Sequence, residues 1–140
     1  MNADPSRYLD SSALVKVVID EPESKPLDEW LGSRSVLVSC ALARTEVVRA
    51  VFPSGRDAVG RARRLLDRID LIQLDDELLD LAGELEGPLR SLDAIHLAAA
   101  LALGDELEAV VTYDRRLGQA ARTLGLPVVA PARAQPRALP

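Results

Sequence analysis

The chain has 140 residues, 48% of them hydrophobic, which is the size of one ordinary domain with enough apolar material to bury a core. Against 22 acidic residues stand 17 basic ones, a formal net charge of −5, and only 3% of residues are aromatic. These figures argue against disorder, against a protein coated with positive charge for nucleic acid, and against an extended base-stacking platform. The single Cys40 excludes an internal disulfide and a Cys-rich zinc site, and the single His96 excludes a multi-histidine metal site. No stretch approaches the roughly 18 uncharged apolar residues of a membrane helix. Met1 to Arg7 lacks the basic-then-apolar profile of a signal peptide, so a soluble cytoplasmic protein with no membrane association is expected.

Along the chain, Arg7-Tyr8-Leu9 reads as a short strand ending at Asp10, and Ser11-Ser12 opens a helix over Ala13 to Ile19 that Pro22 stops. A second helix is expected from about Pro26 to Gly32. The β-branched run Val36 to Ser39 is a buried strand feeding a helix over Ala41 to Val51. Pro53-Ser54-Gly55 breaks that helix, and a charged one follows from about Asp57 to Arg68. Asp70 to Leu74 is a third strand, and Asp75 caps a helix from Asp76 to Leu85. Ser91 caps an apolar helix from Leu92 to Leu103. Ala109 to Tyr113 is a strong strand, Asp114 caps the helix Arg115 to Leu124, and Pro127 to Val129 is a last short strand. Strands alternating with helices predict a three-layer α/β/α sandwich around a mainly parallel, roughly five-stranded sheet. The domain is expected over 1–129, with 130–140 a Pro/Ala/Arg-rich tail.

Carboxylates are the abundant chemistry. Ligands of open parallel sheets sit at the carboxyl ends of strands, and Asp10 and Asp114 each follow a strand there. Thr112 shares the side of Asp114 by the two-residue strand period. Glu46 and Asp93 stand on apolar helices, where an acid is costly to desolvate unless paired or cation-bound. Four acids from four segments can therefore converge. Taken singly, each has a plainer explanation. Asp10 and Asp114 can be helix N-caps, Glu46 can pair with Arg44, Arg49 or a distant arginine, and Asp93 can complement a helix dipole. His96 on an apolar helix is ordinarily a hydrogen-bonded core residue; three positions after Asp93, it can also support the same site from behind. Cys40 is expected to be buried beside a strand end with no base near it, and Arg61 to Arg68 to be a solvated face that could contact phosphate. No Gly-x-Ser-x-Gly, Gly-x-Gly-x-x-Gly or Walker A sequence is present.

Four segments in order, Tyr8-Leu9-Asp10-Ser11-Ser12-Ala13-Leu14-Val15-Lys16, Thr45-Glu46-Val47, Leu92-Asp93-Ala94-Ile95-His96-Leu97-Ala98 and Val111-Thr112-Tyr113-Asp114-Arg115-Arg116-Leu117, resemble the PIN-domain ribonucleases, and among them the VapC-type toxins of toxin–antitoxin pairs. The resemblance implies a PIN-like α/β/α fold in which Asp10, Glu46, Asp93 and Asp114 are the catalytic acids holding Mg²⁺ or Mn²⁺. It implies supporting hydrogen bonds from Ser11, Ser12 and Thr112. It further implies a homodimer, inhibition by a cognate VapB-type antitoxin, and hydrolysis of structured RNA (tRNA, rRNA or mRNA) to a 5′-phosphate and a 3′-hydroxyl.

The donor chemistry agrees, because oxygen-only ligands select hard divalent cations and clustered acids repel until one binds. Competing readings fare worse. A receiver-like signalling domain needs a second acid beside Asp10 and a late lysine, whereas Lys16 and Lys25 are the only lysines. A phosphatase of the haloacid-dehalogenase type needs an aspartate where Ser12 stands. A non-catalytic α/β interaction domain, its acids serving only as caps and ion-pair partners, remains the alternative.

Overall fold

In the computed structural model, which describes residues 4–32 and 36–133, the alternation of apolar runs and capped helices becomes five parallel strands and seven α-helices among the described residues. The strands are β1 (Ser6–Leu9), β2 (Val36–Cys40), β3 (Asp70–Ile72), β4 (Leu107–Val111) and β5 (Val128–Val129), in the spatial order β3-β2-β1-β4-β5. The helices are α1 (Ser11–Val18), α2 (Ser24–Leu31), α3 (Ala43–Val51), α4 (Arg56–Arg68), α5 (Asp76–Glu84), α6 (Ser91–Ala102) and α7 (Arg115–Thr123). The expected sandwich is what forms. Among the described residues no helix is long and apolar enough to cross a membrane.

The two-residue strand period builds the layers. Tyr8, Val38, Cys40 and Val110 point to one face and are buried against Leu78, Leu97 and Leu117 of α5, α6 and α7. Their neighbours Leu9 and Val111 point to the other face and are buried with Leu14, Leu27, Val47 and Leu66 of α1 to α4. Because both faces are covered, the carboxyl-terminal halves of β1 and β4 are apolar on both sides rather than alternating, with Arg7 and Glu108 confined to the opening residues of the strands. The chain winds outward from β1 through β2 to β3, then crosses back to β4 beside β1. The winding thus reverses between β1 and β4, and the carboxyl ends of these two strands flank the crevice where such sheets hold ligands.

Several boundaries move for local reasons. The N-cap of α1 is Asp10, whose Oδ1 accepts from the Ala13 amide at 3.0 Å, so Ser11 and Ser12 lie inside the first turn. Arg90, not Ser91, occupies the N-cap of α6, without a side-chain bond to the helix. Strand β4 begins and ends two residues earlier than expected, because the Thr112 hydroxyl and the Asp114 cap take over hydrogen bonding beyond Val111. Helix α2 starts at Ser24 and closes on Gly32, whose φ of 59° suits glycine. Asp75 and Asp114 cap α5 and α7 as expected. Of the expected tail, residues 134–140 lie outside the described residues; Pro131 is anchored by its carbonyl, which accepts from the Tyr113 hydroxyl at 2.7 Å.

Candidate functional site

The carboxyl ends of β1 and β4 are joined by a small hydrogen-bond network. In register, Leu9 lies opposite Val111, so Asp10 and Thr112 are the first residues past the paired ends. Thr112 Oγ1 donates to Asp10 Oδ2 at 2.5 Å and accepts from the Asp114 amide at 3.0 Å. Ser12 Oγ donates to Asp10 Oδ1 at 2.7 Å and accepts from the Tyr113 amide at 2.9 Å. Asp10 is 4% exposed. Burial raises its pKa, and the bonds from Thr112, Ser12 and Ala13 offset this only in part. The two strand-end acids thus cap helices and face the crevice at once. Asp114 caps α7 with Oδ1 alone, accepting from Arg116 and Leu117, and its Oδ2 has no donor among the described residues.

The two helix acids lie on the same side. Glu46, in the first turn of α3, accepts on Oε1 from Ser11 Oγ at 2.8 Å and pairs there with His96 Nε2 at 2.7 Å, while Oε2 has no donor among the described residues. The expected arginine partners are not used: Arg44 pairs with Asp67 at 3.6 Å on the surface. Burial raises the Glu46 carboxyl, but His96 and Ser11 outweigh it and the net pKa is lowered. Asp93, in the first turn of α6, is half-buried; burial raises its pKa first, and Asp114 and then Glu46 raise it further by repulsion, against His96 and Arg90. Three of the four acids are therefore within electrostatic reach of one another. None forms an ion pair with arginine or lysine among the described residues.

His96 stands behind Glu46, the supporting position its spacing from Asp93 allowed; its contacts with Tyr8 and Cys40 are what sequence reasoning missed. His96 is 4% exposed, and its Nδ1 lies 2.7 Å from the Tyr8 hydroxyl and 3.7 Å from Cys40 Sγ. Burial lowers the His96 pKa, but Cys40 and Glu46 more than reverse this and it is pushed up to about 10. This upward shift favours the imidazolium, whose Nε2 faces Glu46 and whose Nδ1 faces Tyr8. Cys40 is buried at the end of β2 as expected, yet a base does stand beside it. Burial raises the thiol and His96 then draws it below its ordinary value. The sequence signal is partial: Tyr8 stands two positions before Asp10 and His96 one turn after Asp93, which puts both near the candidate acids without showing that they meet.

The donor set suits a hard divalent cation: oxygen atoms only, mutually repelling, with free oxygens on Glu46, Asp93 and Asp114. Among the described residues no three His, Cys, Asp or Glu side chains close into a ligand cluster. The arrangement is a rim of carboxylates around a crevice rather than a closed shell.

Comparison with known proteins places this geometry. The sequence profile of the PIN domain matches residues 7–123. The chain belongs to the PIN-domain family, in its VapC branch. It is 51% identical over 125 residues to Ribonuclease VapC46 of Mycobacterium tuberculosis (strain ATCC 25618 / H37Rv), covering 89% of this chain and 96% of that one. It is 45% identical over 136 residues to Ribonuclease VapC35 of the same strain, covering 91% and 98%. Among solved structures it resembles VapC20 of M. tuberculosis, a Sarcin-Ricin loop cleaving toxin, with a TM-score of 0.70 at 16% identity over 90% of this chain and 100% of that one. At that identity the likeness is one of fold.

Proposed function

We propose that the chain is a Mg²⁺- or Mn²⁺-dependent endoribonuclease, the toxin of a toxin–antitoxin pair, acting on structured RNA. The observation that carries this reading is the rim itself. Carboxylates from four separate segments gather at the switch point of the sheet with no arginine or lysine paired to them among the described residues, and three keep an oxygen free. The relatives' names, all of them ribonucleases, point the same way. If the acids served only as caps and ion-pair partners, Asp93 would have no reason to stand where Asp114 and Glu46 raise its pKa.

Asp10, Glu46, Asp93 and Asp114 would hold the cation, which when bound lowers the pKa of water and offsets phosphodiester charge. The chain's own residues prepare that site. Thr112 and Ser12 fix both oxygens of Asp10, and Ser11 and His96 both hold Oε1 of Glu46, leaving Oε2 without a donor among the described residues. Burial keeps water from screening Asp10. Hydrolysis places water's oxygen on phosphorus and releases the 3′-hydroxyl of the preceding nucleotide. A homodimer and a cognate VapB-type antitoxin belong to the same reading.

Purified protein incubated with mixed structured RNAs is expected to cut them in Mg²⁺ or Mn²⁺ and to leave them whole in chelator. Cleavage that persists in chelator would remove the metal from the reading. Growth arrest on expression, relieved by co-expressing the neighbouring small protein, tests the toxin role.

A further inference from the structure

Beside Asp93 the surface opens into a groove of about 560 Å³ between the 86–90 loop and α7, within the range of about 300–1,000 Å³ seen for ligand sites. It is lined by apolar Pro88, Leu89 and Ala120, by Arg90, Arg115 and Arg116, and by the carboxylates Glu86 and Asp93. All three arginines are exposed, and none forms an ion pair among the described residues. In a chain of net charge −5, three exposed guanidiniums on a groove that reaches a carboxylate of the candidate site form a local exception.

We infer that this groove is the track of the RNA: a single-stranded stretch lies along it with its phosphates on Arg90, Arg115 and Arg116, delivering the next phosphodiester to the carboxylate rim. The inference rests on the ribonuclease reading and deepens it. Guanidinium groups suit phosphate because their planar fork donates two parallel hydrogen bonds, and their faces accept an unstacked base. The apolar lining offers a base a dry surface, which a chain with few aromatic side chains needs from another source. A polyanion approaching an acidic rim is repelled unless cations flank it, and these arginines stand directly after Asp114 and three residues before Asp93.

The other arginine-rich surface is on the wrong end of the sheet. Helix α1 begins at Asp10 on the crevice edge and runs away from it to Val18, and Arg61 Nε donates to the Val18 carbonyl at 3.4 Å. Arg61 to Arg68 therefore lie toward the far edge, and the sequence-based expectation of phosphate contact there gives way to the groove.

The test is equilibrium binding of a fluorescein-labelled, mixed-sequence single-stranded RNA to the full chain in chelator, across a salt series. Arg90→Gln/Arg115→Gln/Arg116→Gln is compared with the charge-matched control Arg63→Gln/Arg64→Gln/Arg68→Gln, whose arginines are all exposed on α4. The groove variant is expected to lose about tenfold or more in affinity and to lower the slope of log affinity against log salt by about 2, three contacts at roughly 0.7 each. The control stays within twofold. Arg→Lys at the three groove positions, which keeps the charge, is expected to retain most of the slope and guards against a folding artefact. Equal losses in groove and control variants would overturn the inference by making the attraction nonspecific. Unchanged affinity in the groove variant would overturn it by showing that the three arginines do not hold the RNA. Cleavage separates the two readings: a wild-type chain that cuts RNA but ignores the groove substitutions contradicts the track alone, and one that neither binds nor cuts RNA contradicts both.

Discussion

Asp10→Asn is expected to abolish RNA cleavage while leaving the fold as stable as before, or more so. Asp10 is buried, and the cost of desolvating its charge raises its pKa despite three hydrogen bonds. An acid whose folded pKa lies above its unfolded value favours folding only when protonated. Its contribution is therefore present at low pH and is lost as pH rises through the folded pKa, so at neutral pH the charge works against the fold. Asparagine keeps an oxygen to accept from Ser12 and the Ala13 amide and removes that penalty, while its NH2 at the Oδ2 position turns the Thr112 hydroxyl from donor to acceptor and leaves that hydroxyl's proton to Ser12. The loss of cleavage should exceed the roughly 10–100-fold typical of residues that only support a metal ligand. Thermal unfolding and initial cleavage rates, measured on the same preparation at pH 7, check both halves. A helix cap without a catalytic role would give the opposite pattern, with rate retained.

His96→Leu is expected to cost stability on the order of 2–4 kcal/mol, a large part of a typical folding free energy of about 5–15 kcal/mol. The imidazolium is the shared partner of Glu46 and Tyr8, and leucine leaves the Tyr8 hydroxyl and Glu46 Oε1 each short of a partner. The pH dependence carries the signature. Because the folded pKa of His96 is raised to about 10 from 6.5, its stabilisation is complete below about pH 6.5 and disappears as pH rises through about 10. Chemical denaturation across this window should show the wild type losing stability with rising pH and the variant losing much less. Cys40, whose thiol is lowered, contributes a slope of the opposite sign; because Cys40 also raises the His96 pKa, Cys40→Ala is expected to remove that slope and to move the histidine's window to lower pH. Cleavage should fall as well, since Glu46 Oε1 loses one of its two partners; an unchanged pH profile in His96→Leu would mean that the histidine is an ordinary neutral core residue.

Much of this molecule could be read from the chain because its local signals agree with its global fold. Val36 to Cys40 and Leu107 to Val111 are rich in apolar and β-branched residues, the helices that follow β3 and β4 carry aspartate caps at positions 75 and 114, and the alternation leaves the parallel sheet as the natural solution. The acids at Asp10 and Asp114 follow from the same logic, since strand ends in such sheets are where ligands bind. Their capping is legible too; that one oxygen caps while another stays free is not, because it depends on side-chain rotation. Ser11 illustrates the limit. Its sequence position suits an N-cap, but Asp10 wins the Ala13 amide and frees the hydroxyl to reach Glu46 from a helix 35 positions on. His96, Tyr8 and Cys40 meet only because two strands and a helix are stacked, and no spacing in one segment announces that. The groove arginines are equally hidden: Arg90 and Arg116 are far apart in sequence and become neighbours only through the packing of α6 against α7.

Four carboxylates from four segments act, on this account, as one cation-binding site. Titrating Mn²⁺ into the wild-type chain and into Asp10→Asn/Glu46→Gln/Asp93→Asn/Asp114→Asn, with free Mn²⁺ read by its paramagnetic resonance signal, measures this without any RNA present. The account predicts saturable binding by the wild type and binding at least about tenfold weaker in the neutralised chain. Equal binding by the two chains, or none by either, would contradict it.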